Sequence, residues 1–204
     1  MKKLVIAKGA LLLATLIPIA LLAADSFTNA PSPYFPRDVI SNTGDWGLRF
    51  LVLTLCVTPL RRLTGWHRVI QARRTLGLAA FFYSGLHVLV WAYWDWSFQV
   101  ASMVVHILAS AFLWTGTVAL LLLLPLAVTS NRVSMSWLGR RWRALHRLTY
   151  LAAMFTLGHF WLRGPFGVID VRKWIVVMVI LMGFRLLTAR KRLGDRGAAT
   201  LPGR

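Results

Sequence analysis

Residues Thr75–Trp96, TLGLAAFFYSGLHVLVWAYWDW, form an apolar run with a single basic side chain, His87, near the middle. The run has the ~20-residue length of a helix that spans a bilayer. A histidine at membrane depth is costly unless it has a partner. A second apolar run, Leu148–Leu162, carries His159 and begins just after His146. These two runs decide the fold, and the remaining segments are read around them.

The chain has 204 residues, 57% hydrophobic and 15% charged, with mean hydropathy +0.62. A soluble domain carries about 25% charge. Six apolar segments recur, roughly Gly9–Ala24, Gly44–Leu63, Leu76–Trp96, Val100–Val128, Leu148–Leu162 and Trp174–Thr188. Lipid leaves only helices or a closed barrel to pair the backbone, and the alternation a barrel needs is absent. The expected fold is an all-α membrane protein, a bundle of six transmembrane helices. Three regions are expected: 1–40, an N-terminal helix and outer loop; 41–190, the main bundle; and 191–204, a cytoplasmic tail. No internal repeat is visible. The first segment reads as a retained helix, although its basic start, apolar run and small residues near Ala23 also fit a cleavable signal peptide.

The net charge of +18 does not indicate nucleic acid, because the cations lie in short blocks between apolar runs. With six crossings, the blocks Lys2–Lys8, Arg61–Arg74, Arg132–Arg147 and Arg185–Arg204 all fall on one side. Asp25, Asp38, Asp45, Asp95 and Asp170 fall on the other. The positive-inside rule then places both termini in the cytoplasm. Trp91, Trp94, Trp96 and Trp161 mark the outer interface, and the outer loops are Ser26–Asp45 and Arg163–Lys173. The one cysteine, Cys56, allows no intramolecular disulfide and reads as a small core residue.

The five histidines separate by depth. His87 lies 13 positions beyond Arg74, and His159 lies 12 beyond Arg147. At about 1.5 Å per residue both sit ~18–20 Å from the cytoplasmic face. Two imidazoles level with each other on neighbouring helices suit six-coordinate haem iron. The plainer reading is that each one hydrogen-bonds a backbone carbonyl or a neighbouring helix. Gly77, Gly85 and Gly158 would permit close approach, and Phe81, Phe82, Tyr83, Phe155 and Phe160 would give an apolar wall. His146, at the cytoplasmic start of the fifth helix, lies 13 residues before His159, about 3.6 turns away. It is either a surface histidine or a ligand of an inner haem. For that haem the third helix offers only Arg73 or Arg74 at the same level, with Arg74 as a weak or propionate-pairing partner and His67 as another candidate. His67 reads as solvated and His106 as interfacial. Arg49 either snorkels or pairs the propionates of an outer haem. No Gly-rich phosphate loop, HExxH or CxxC is present, and the apolar segments hold too few acids for a cation or proton transporter.

Four runs carry a family resemblance. They are Thr43–Trp66 (TGDWGLRFLVLTLCVTPLRRLTGW), Arg73–Trp91 (RRTLGLAAFFYSGLHVLVW), Leu121–Asn131 (LLLLPLAVTSN) and Leu138–Trp161 (LGRRWRALHRLTYLAAMFTLGHFW). Together they resemble MsrQ, formerly YedZ, the family of haem-binding membrane subunits of bacterial MsrPQ protein-methionine-sulfoxide reductase systems, from about Thr43 to Arg190. The resemblance implies a ferric reductase-like bundle in the bacterial inner membrane, with one or two b-type haems and FMN. It implies electron flow from the quinone pool or a cytosolic flavin reductase to the periplasmic molybdopterin enzyme MsrP, which itself reduces methionine sulfoxide in proteins. The family's haem histidines map onto His87, His146 and His159. The wider superfamily usually has two histidines on each of two helices; here the place of the fourth lies near Arg74, and the ligation of an inner haem stays open. The residues after Arg190 are too few for a dinucleotide-binding domain, so the chain is expected to be an electron conduit between a donor and an acceptor. The rival readings are a ferric reductase-type subunit with another acceptor, and a non-redox transporter or assembly factor whose histidines cross-link helices.

Overall fold

A computed structural model describes residues 2–28, 34–164, 172–184 and 187. The described chain is helical throughout, with no strand among the described residues. Its helices are α1 (Lys2–Thr28), α2 (Phe35–Thr64), α3 (Ala72–Trp94), α4 (Val100–Ala109), α5 (Ala111–Val128), α6 (Arg132–Leu138), α7 (Arg140–Leu145) and α8 (Leu148–Leu162). A 3₁₀ turn, His67–Gln71, leads into α3, and residues 172–184 are again helical.

The centre of the bundle is α2. Asp38 in its first turn and Arg61 and Arg62 in its last complement the helix dipole. Gly65, with φ of +67°, ends it in the left-handed conformation that favours glycine. Leu48, Leu51, Val52 and Leu55 are almost fully buried, and they pack with Ala80 and Tyr83 of α3 and Ala152 and Ala153 of α8. Small residues allow this close approach: a Cβ on Gly47 would come 2.9 Å from the Ser84 hydroxyl. Close packing of this kind takes over from the hydrophobic effect between helices in lipid.

Among the described residues, three helices have the length and composition to cross a membrane: Ile6–Asp25, His67–Trp94 and Ala111–Val128. The expected apolar segments are largely helical over their described parts, the third ending at Trp94 with Asp95 and Trp96 in a turn, but two expectations change. The single helix expected over Val100–Val128 is broken at Ser110, whose extended backbone (φ −117°, ψ 113°) separates α4 from α5. The Ser110 hydroxyl accepts from the Leu113 N–H at 3.5 Å, the N-cap role that serine favours over a helix interior. The outer loop Ser26–Asp45 is helical from Phe35 onward, since α2 starts there with Pro36 in its first turn, a position that suits proline. The helix therefore runs through residue 40, where the first region was divided from the second. Most of the loop Arg163–Lys173 and the whole of 191–204 lie outside the described residues.

α1 docks on α3 through Tyr83, which is 1% exposed. Its hydroxyl donates to the Thr15 carbonyl at 2.9 Å and accepts from the Ile19 N–H at 3.2 Å. These two groups form an i, i−4 couple beside Pro18, a residue that disturbs the helix ladder.

Candidate functional site

His87 and His159 meet. Their ring centroids are 6.1 Å apart with planes at 79°. His87 Nδ1 lies 2.8 Å from the Ile40 carbonyl of α2, and His159 Nδ1 lies 2.8 Å from the Phe112 carbonyl of α5. A carbonyl only accepts, so each Nδ1 carries the proton and each Nε2 keeps its lone pair. Metal-ligating histidines are usually oriented in this way by an outer hydrogen bond. The plainer expectation, a histidine bonded to a backbone carbonyl, therefore holds for Nδ1 and leaves Nε2 available.

A glycine backs each ring. A Cβ on Gly44 would stand 3.0 Å from His87 Nδ1, and one on Gly116 only 2.7 Å from His159 Nδ1. These are the close approaches at the site. Of the glycines expected there, Gly85 and Gly158 face open space and Gly77 meets only Thr54. Phe112 stacks on His159 with centroids 4.2 Å apart and planes 13° from parallel.

The two histidines are held by a repeated arrangement. Ile40, Thr43, Gly44 and His87 recur as Phe112, Thr115, Gly116 and His159, each 72 positions later. Thr43 donates to the carbonyls of Val39 and Ile40, and Thr115 donates to those of Ala111 and Phe112. The pairs α2–α3 and α5–α8 are thus two copies of one clamp. The sequence shows no repeat because little beyond the Thr-Gly couples and the histidines is shared.

Both rings open on a cavity of ≈ 780 Å³, lined by Gly44, Phe112, Gly116 and Arg163 among others. This volume lies within the ~300–1,000 Å³ range of cofactor sites. No group of three or more His, Cys, Asp or Glu suited to a metal ion occurs among the described residues. Two facing imidazoles alone do not complete the four-ligand set of a bare structural ion. They do suit the axial positions of an iron whose other ligands belong to a macrocycle. The donor set and the cavity therefore fit haem.

The cations on the cavity wall are Arg37 and Arg163, in place of the expected Arg49. Ile40, Gly44 and Leu48 line the cavity at helical spacing, and Arg49 is turned ~100° from that stripe. It stacks over the Trp46 ring, 4.5 Å from the centroid.

His146 caps α7 in the turn before α8, outside the regular helix that carries His159. Its ring stacks on Trp142 at 3.8 Å, and Nδ1 lies 3.1 Å from the Trp142 carbonyl. Burial pushes its pKa below the ordinary value, the Trp142 carbonyl opposes this, and the nearby charge of Arg73 adds to the lowering. The Leu126 carbonyl comes near the ring, but Nε2 is buried with no described group in hydrogen-bonding geometry. Gln71 Oε1 is buried in the same condition. Buried polar atoms normally have partners, and His146 Nε2 has none in hydrogen-bond geometry among the described residues. The arginine acting on His146 is Arg73; Arg74 is exposed. Arg73 precedes His87 by 14 residues, close to four whole turns, whereas Arg74 falls off that stripe. His67 is exposed, and His106 packs on Trp96 at 5.0 Å.

Residues 43–157 match the family described as "Ferric reductase like transmembrane component". Over 182 residues the chain is 37% identical to the protein-methionine-sulfoxide reductase heme-binding subunit MsrQ of Azospira oryzae, covering 88% of this chain and 78% of that one. The MsrQ of Herminiimonas arsenicoxydans is 40% identical, covering 78% and 73%. The chain belongs to the MsrQ family. For the MsrQ of Bordetella pertussis the identity is 36%, covering 94% and 93%, so the likeness to MsrQ includes both histidine-bearing helix pairs. The residues that reading the sequence missed, Ile40, Gly44, Phe112 and Gly116, act through a carbonyl or a missing Cβ. The carbonyls leave no signal in the sequence, whereas the two Thr-Gly couples, each with its glycine 43 residues before a histidine, are the spacing that marks the glycines.

Proposed function

We propose that this chain is the haem b electron-transfer subunit of a protein-methionine-sulfoxide reductase system. It sits in the bacterial inner membrane with six crossings and both termini cytoplasmic. Electrons come from quinol or a cytosolic flavin reductase and leave for periplasmic MsrP, where methionine sulfoxide is reduced. The observation that carries this reading is the facing of His87 and His159 across one cavity, each with Nδ1 bonded and Nε2 available. Bound haem supplies one-electron transfer between ferric and ferrous iron.

The protein's part is to hold, orient and shield. The Ile40 and Phe112 carbonyls fix the tautomer and direction of each imidazole. Gly44 and Gly116 let the helices close on the rings, and Leu120, Leu123 and Phe160 help keep the wall apolar. A second, inner haem is supported by the orphaned Nε2 of His146, with Arg73 as the facing cation. FMN enters the proposal through the family likeness alone.

The test is spectroscopic. Protein from haem-replete cells should show a Soret band, and His87→Ala and His159→Ala should each abolish the same component. Full haem with an unchanged spectrum in either variant would overturn the pairing.

A further inference from the structure

The cavity wall carries one ion pair among the described residues. Arg163 Nη1 lies 3.5 Å from Asp45 Oδ1, with side chains 16% and 3% exposed. Both partners adjoin the histidine clamps. Arg163 follows His159 by one turn at the end of α8, and its guanidinium lies over Phe160, 5.3 Å from the ring centroid. Asp45 directly follows Gly44, against which the His87 ring rests. Arg163 lines the cavity, while Asp45 is buried behind it at 2% exposure.

An ion pair so placed is a poor device for packing helices. Desolvation offsets much of its Coulomb energy, and the contact is long and uses a single nitrogen of a guanidinium with five N–H donors. The residue that carries the remaining donors lines the cavity. Arginine suits bidentate recognition of a carboxylate, and haem carries two carboxylate substituents.

We infer that Asp45 and Arg163 form an anchoring and potential-setting pair for the haem held by His87 and His159. Arg163 receives a carboxylate of the macrocycle, and Asp45 positions Arg163 and offsets its charge. The inference rests on the haem reading of the two histidines. Its consequence follows from charge. Reduction of ferric to ferrous iron adds one electron to the site, so a nearby cation favours the reduced form and a nearby anion disfavours it. Low polarity around the pair strengthens both effects.

The test is optical redox titration of the full-length protein in detergent, with haem content measured beside it. Arg163→Gln should lower the midpoint potential and Asp45→Asn should raise it. Each change should alter the ratio of reduced to oxidised haem severalfold at fixed potential, a tenfold change being about 59 mV for one electron. Arg163→Lys keeps the charge and loses the planar fork. Its potential should stay near that of the parent while haem is retained less firmly. Potentials that do not move, or that move in the same direction in Arg163→Gln and Asp45→Asn, would overturn the inference and leave the pair a packing contact. If Arg163→Gln holds no haem, recovery of haem in Arg163→Lys supports the anchor, and its absence together with an unshifted Asp45→Asn overturns it. Failure of the underlying reading has a different signature: His87→Ala and His159→Ala would then keep the haem spectrum.

Discussion

The helix pairs α2–α3 and α5–α8 perform one task with different amounts of support. In both, a histidine donates to a carbonyl 47 residues earlier in the chain and rests on the glycine one turn beyond that carbonyl. In the first pair, the supporting helix is the long, buried α2. In the second, it is α5, which begins only after the break at Ser110, so Phe112 lies in its first turn. The second clamp compensates with contact, through the stacked Phe112 ring and the tighter approach of Gly116. The correspondence ends at the His146 end of the helices. The position matching His146 in the first pair is Arg74, yet the cation that reaches His146 is Arg73. Repetition thus fixes the site that His87 and His159 share, and the two pairs diverge at His146.

The comparison can be broken most directly at the histidines. His87→Ala and His159→Ala should have the same effect, complete loss of one haem component by absorbance, because neither clamp serves without the other. A smaller difference should appear at the glycines. Gly116→Ala places a methyl 2.7 Å from its ring against 3.0 Å for Gly44→Ala. Overpacking costs about 1–3 kcal/mol, so haem occupancy should fall further in Gly116→Ala; equal occupancy would show that the second clamp yields as easily as the first. His146→Ala should leave the outer component intact, and any haem it removes belongs to the inner site. Loss of the His87–His159 signal in that variant would tie His146 to the same site. The smallest effect is expected at Tyr83→Phe, which removes two hydrogen bonds to α1. Thermal unfolding in detergent should report about 1–2 kcal/mol of lost stability with the haem spectrum unchanged.

The sequence carried what depends on depth and hydropathy. Counting from Arg74 and Arg147 brings His87 and His159 to one level, and the structure places their rings together. It carried less of what depends on helix phase. Arg49 and Arg74 are each one position from the stripe that faces the site, and a single residue turns a side chain by ~100°. It carried none of the supports made by backbone, because the carbonyls of Ile40 and Phe112 look like any others. Ser110 is one of several polar residues scattered through a 29-residue, largely apolar stretch, and its capping role appears only where the chain turns.

The seam at Pro18 bears on how α1 is held. Proline lacks the N–H that would serve the carbonyl one turn back, and lipid offers no substitute donor. Tyr83 brings a hydroxyl to the Thr15 and Ile19 groups beside this gap, but it lies 64 residues after Ile19. Neither group is the Ala14 carbonyl that Pro18 leaves short, so Tyr83 braces the helix beside the gap rather than filling it. The helix that carries His87 thereby also braces the turn of α1 around Pro18, so the fastening of the first helix and the position of His87 depend on one element.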